Sequence, residues 1–74
     1  MSIRRKLGRR LADLRKEGGL TQEALAEKAG YSVEFISLME RGIHAPSVDG
    51  LERLAGALKV DIRDFFDFTV NENA

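Results

Sequence analysis

Hydrophobic positions follow helical spacing from the start of the chain. Ile3, Leu7, Leu11 and Leu14 fall on one stripe of a first helix, with arginines and lysines on its other faces. Gly18-Gly19 ends it, because glycine accepts the left-handed conformation of a helix C-terminus. Thr21 caps a second helix, Gln22 to Ala29, whose inward face is Leu25, Ala26 and Ala29; Gly30 closes it. Ser32 caps a third, Val33 to about Glu40, with Ile36 and Met39 inward and Gly42 beyond its end. Residues 43–46 form a loop. Ser47 then caps a fourth helix that buries Leu51, Leu54, Ala55 and Leu58. Asp61 caps a short fifth helix, with Asp64 at its third position and Ile62, Phe65 and Phe66 as its apolar residues. No segment alternates with strand period, and no repeat or linker interrupts the series. The pattern predicts an all-α domain of five short helices over residues 1–68 and a flexible tail over 69–74.

Composition narrows the chemistry. The 74 residues fit one small domain, and 43% hydrophobic with 32% charged residues is a globular balance. The absence of cysteine removes disulfides, Cys-ligated zinc, iron–sulfur clusters and thiol nucleophiles. His44 is the only histidine and has no second His or Cys near it, so no metal site is expected. Ser2, Ser32, Ser37 and Ser47 read as caps or helix-face residues, and no nucleophile–base pair or glycine-rich phosphate loop stands out. Neither catalysis nor a cofactor is expected. Apolar runs are too short to cross a bilayer, and Arg4, Arg5 and Lys6 precede no signal-like apolar stretch, so the expected location is cytoplasmic.

Net charge is zero but unevenly placed. Residues 1–20 hold seven basic and two acidic groups; residues 21–74 hold five basic and ten acidic ones. A polyanion would therefore meet a basic end rather than a basic molecule.

The distinctive constellation is Gln22–Ala29, the turn Gly30-Tyr31-Ser32, and Val33–Glu40. Two short helices on a fixed glycine turn make a helix-turn-helix, whose second helix fits a major groove about 12 Å wide. The chain resembles the Cro/phage-repressor (XRE) family. The resemblance runs from Leu11-Ala-Asp-Leu-Arg15 through Gly19-Leu-Thr-Gln22, Glu-Ala-Leu-Ala26 and Gly30-Tyr-Ser32. It continues with Ile36-Ser37, Glu40-Arg41-Gly42, Pro46-Ser47 and the segment from Leu51 to Val60. Small phage repressors and restriction–modification controller proteins have this form. The resemblance implies a five-helix, lambda-repressor-like DNA-binding domain that acts as a sequence-specific transcriptional regulator.

It also implies roles. Gln22 would meet a phosphate, a contact that suits an amide donor beside free helix N–H groups. Ser32, Val33, Glu34, Ser37 and Leu38 would face base edges or adjoining backbone. Arg41 and Ser47, with the N–H groups of residues 43–45, would grip the phosphate strand. Arg15 and Glu40 match a family pair that forms a largely buried, structural salt bridge. The Arg4–Arg10 cluster suits either backbone contact or simple solvation, and Arg10 is its assigned DNA-binding member.

Family members often carry arginine, lysine, glutamine or asparagine where this chain has Val33 and Leu38. The two apolar side chains suit thymine methyl groups, and Glu34 suits a cytosine amino group. They suit a protein partner as well. The alternative function is therefore an interaction adaptor or antagonist on the same fold. Phe65, Phe66 and Phe68 lie close together near the C-terminus and are the expected homodimer interface. A two-fold dimer would set its recognition helices about 34–36 Å apart and read a pseudo-palindromic operator.

Overall fold

The computed structural model describes residues 1–69. Four α-helices follow in order: α1 Ile3–Glu17, α2 Gln22–Ala29, α3 Val33–Glu40 and α4 Val48–Leu58. The expected fifth helix is a 3-10 turn, Ile62–Phe66. Of the expected tail over 69–74, all but Thr69 lies outside the described residues.

Each helix starts where a short polar side chain replaces a missing intrahelical acceptor. The hydroxyls of Ser2, Thr21, Ser32 and Ser47 accept from the backbone N–H of Arg5, Ala24, Phe35 and Gly50. The 3-10 turn has a reciprocal capping box between Asp61 and Asp64. It stays a 3-10 turn, and Arg10 of α1 binds its end. Its Nε donates to the Asp64 carbonyl at 2.8 Å, and the same oxygen also takes the Asp67 N–H three residues on.

The core joins Leu7, Leu11 and Leu14 of α1 to Leu25, Ala26 and Ala29 of α2, Ile36 and Met39 of α3, and Leu51, Leu54, Ala55 and Leu58 of α4. Phe65 closes it from the 3-10 turn and is fully buried. Helix α1 packs on α3 and on the 3-10 turn; α2 packs on α3 and α4.

Three expectations change. Ile3, placed on the α1 stripe, is 60% exposed, because it lies in the first turn, beyond the edge of the core. Phe65, expected at a subunit interface, belongs to the interior of its own chain. Arg10, expected on DNA, is buried between α1 and the 3-10 turn, where the Asp64 carbonyl and Glu17 at 3.9 Å hold its guanidinium. Its place on the helix explains this: it falls on the side that meets the 3-10 turn, so its long stem packs and its head must find partners inside.

Candidate nucleic-acid interface

The turn between α2 and α3 sets the site. Gly30 takes φ +77°, a conformation that glycine reaches without steric cost, and the Tyr31 N–H returns to the Ala26 carbonyl at 2.9 Å. The Tyr31 ring lies 5.2 Å from the Phe35 ring, which lies 5.7 Å from His44. The Arg53 guanidinium from α4 covers Tyr31 at 4.4 Å. The turn, the start of α3 and α4 are thus held as one body.

Helix α3 shows two faces. Ile36 and Met39 are buried in the core. Val33 is 41% exposed, Glu34 is exposed, and Ser37 and Leu38 are half-buried. These four residues stand at i, i+1, i+4 and i+5, so they form one outward stripe. No part of the described chain covers Glu34 or Ser32, which are both exposed. Arg41 and Ser47 are exposed beyond the helix end, although the Ser47 hydroxyl already caps α4.

The inner end of α3 is locked by charge. Arg15 Nε donates to Glu40 Oε2 at 2.6 Å and its Nη2 to Oε1 at 3.1 Å, a two-pronged contact with both side chains about nine-tenths buried. Arg15 Nη1 also donates to the Leu20 carbonyl at 2.9 Å. The hydrogen bond with Glu40 raises the Arg15 pKa above its ordinary value. Gln22 joins this network: its Nε2 donates to Glu40 Oε1 at 2.9 Å. The expected phosphate ligand at the start of α2 therefore ties α2 to the end of α3, using one of the two amide hydrogens it has. Three helices converge on one carboxylate, which fixes the angle at which α3 is presented.

The loop after α3 departs from expectation. The N–H groups of Ile43 and His44 both donate to the Leu38 carbonyl, at 3.0 and 3.3 Å, so they do not point out toward a phosphate.

Several residues that hold the site were not singled out by pattern. Gly8 lies where α1 crosses the end of α3; a Cβ there would overlap the carbonyl oxygens of Met39 and Glu40. Gly50 gives the same close approach between α4 and the Tyr31 hydroxyl. A glycine inside an otherwise apolar helical stripe was the available signal, because it lowers helix stability by about 1 kcal/mol unless something needs the space.

Comparison with known proteins agrees with this geometry. The helix-turn-helix family HTH_3 matches residues 11–65. An uncharacterized HTH-type transcriptional regulator, y4dJ of Sinorhizobium fredii, is 43% identical over 60 residues, covering 81% of this chain and 78% of that protein. The HTH-type transcriptional regulator SinR of Bacillus subtilis is 36% identical over 62 residues; the match covers 82% of this chain but only 56% of SinR. Among solved structures, the restriction–modification controller protein C.AhdI from Aeromonas hydrophila superposes with a TM-score of 0.81 at 37% identity, covering 84% of this chain and 94% of its own. SinR in complex with DNA superposes at 0.77 with 35% identity, covering 82% of this chain and 98% of its own. With a helix-turn-helix in place and most of the chain aligned to a controller protein, the chain belongs to the HTH_3 helix-turn-helix family.

Proposed function

We propose that this protein is a cytoplasmic transcriptional regulator that binds double-stranded DNA in a sequence-specific manner as a homodimer. The observation that carries the reading is the outward stripe of α3. Val33 and Glu34 are exposed, and Ser37 and Leu38 half-exposed, on one side of a helix whose inner end is fixed by Arg15, Glu40 and Gln22. A helix of eight residues with one open face fits the major groove. The relatives named as transcriptional regulators, and the likeness to SinR in complex with DNA, support the same use.

Ser32, Val33, Glu34, Ser37 and Leu38 read base edges in this scheme, while Gln22, Arg41 and Ser47 face the phosphate strand. The homodimer uses Ile62, Phe66 and Phe68. Ile62 is 40% and Phe66 45% exposed, and the Phe66 and Phe68 rings meet edge to face at 6.2 Å. An apolar cluster of this kind at the domain edge suits a self-complementary two-fold contact. Two copies so joined would address two half-sites about one helical turn apart.

One observation favours the adaptor reading: α3 carries no lysine, arginine, asparagine or glutamine between residues 33 and 40. Selection of bound sequences from random duplexes, with wild type, Ser37→Ala and Leu38→Ala, decides between them. A symmetric enriched motif that changes in the variants supports the regulator. Failure to enrich any sequence, with no salt-dependent affinity for duplex DNA, refutes it.

A further inference from the structure

The fold divides the N-terminal basic cluster and carries two of its arginines to the end of the recognition helix. Residues 1–12 contain five basic groups and no acid; residues 41–48 contain Arg41 and His44 and no acid. These two acid-free stretches meet at Gly42. Gly42 takes φ +76° and lies so close to Arg5 that a Cβ there would strike the Arg5 backbone and stem. Arg4 Nη1 donates to the Ile43 carbonyl at 3.4 Å. Arg4, Arg5 and Arg41 are all exposed, and among the described residues Arg5 and Arg41 have no acidic partner. The other members of the cluster go elsewhere: Arg10 to the Asp64 carbonyl, Arg9 to the Met1 sulfur, and Lys6 over the Phe68 ring.

We infer that Arg4 and Arg5, together with Arg41, form a phosphate-binding clamp that grips the DNA backbone at the C-terminal end of α3. This rests on the DNA-binding reading above. The chemistry calls for side chains here because the loop N–H groups of Ile43 and His44 are already bonded to Leu38. Guanidiniums suit such a clamp, since each has five N–H donors in a planar fork that matches phosphate oxygens, and Arg4 uses only one on Ile43. The clamp also accounts for how a protein of zero net charge holds a polyanion. Three arginines, Arg4, Arg5 and Arg41, are gathered at this end of α3 although the chain as a whole has no net charge.

The test is a salt series on duplex DNA enriched by the wild-type protein, with Arg4→Gln/Arg5→Gln, Arg41→Gln, Arg4→Lys/Arg5→Lys and, as a control at the far end of the chain, Arg63→Gln. Glutamine keeps much of the stem that covers Gly42, and the lysine pair keeps the charge. Each lost phosphate contact lowers the log–log salt slope by about 0.9, which amounts to about eightfold in affinity between 0.1 M and 1 M salt. The Arg4→Gln/Arg5→Gln slope falls by up to about 1.8, the lysine pair stays near wild type, and Arg63→Gln does not move. A wild-type slope in the folded Arg4→Gln/Arg5→Gln protein, with Arg41→Gln still shallow, overturns the clamp but leaves DNA binding intact. A wild-type protein with no affinity for duplex DNA overturns the function itself, and the clamp with it.

Discussion

Replacing Glu40 by alanine tests whether charge locks α3 in place. In the folded protein Glu40 accepts two hydrogen bonds from Arg15 and one from Gln22, and side-chain exposure is 8% for Glu40 and 11% for Arg15. Glu40→Ala removes all three and leaves a buried guanidinium with only the Leu20 carbonyl as acceptor. Stranding one partner of such a pair costs about 3–5 kcal/mol. A 74-residue domain has about 4–11 kcal/mol in total, so the variant stands at the edge of folding. At roughly 4–8 °C per kcal/mol, the melting midpoint falls by about 12–40 °C. Urea unfolding followed by far-UV circular dichroism measures the loss. Arg15→Ala costs a similar amount, and the double variant costs less than the sum, because neither single charge is then left alone. An apolar pair such as Arg15→Met/Glu40→Leu is near neutral or more stable. The raised Arg15 pKa sets the pH behaviour. A basic group raised on folding stabilises below its ordinary pKa and loses that contribution only as pH climbs through the raised value. The cost of Glu40→Ala therefore stays flat from neutral pH to about pH 10. A cost below about 1 kcal/mol would refute the reasoning, since it would mean that the pair is solvated.

Gly8→Ala forces a methyl group against the backbone carbonyls of Met39 and Glu40, which cannot move aside as a side chain can; it costs about 1–3 kcal/mol or more by thermal unfolding, despite the better helix propensity of alanine. Phe65→Ala opens a cavity in the core and costs about 3–5 kcal/mol, whereas Phe66→Ala leaves the fold nearly unchanged and, on the proposed homodimer reading, weakens self-association in sedimentation experiments. The Asp67 carboxyl sits below the usual range, chiefly because the Thr69 hydroxyl donates to it at 2.6 Å; NMR titration of Thr69→Val finds the Asp67 pKa moved back up.

Much of the architecture was legible because local rules and global packing agree. The starts of α2, α3 and α4 fall where Thr21, Ser32 and Ser47 announce them, and the inward residues of α2 to α4 are those at helical spacing. The Arg15–Glu40 pair entered through family resemblance, since 25 residues separate its members and no local pattern joins them. Where reading failed, a partner distant in sequence intervened. Arg10 looked like one more cation of a basic run, and the 3-10 turn more than fifty residues away gave it a carbonyl to bind. Phe65, Phe66 and Phe68 looked alike, but only Phe65 reaches the core.

The sequence by itself determined the helices, their caps and the helix-turn-helix, because these depend on residues within a turn or two of one another. Only the tertiary structure decided which arginines face out, which phenylalanine is buried and what holds α3 at its angle. Those outcomes depend on which surfaces come within hydrogen-bonding or van der Waals reach. That reach is set by close crossings such as Gly8 on α3 and Gly42 on Arg5, which no local spacing encodes.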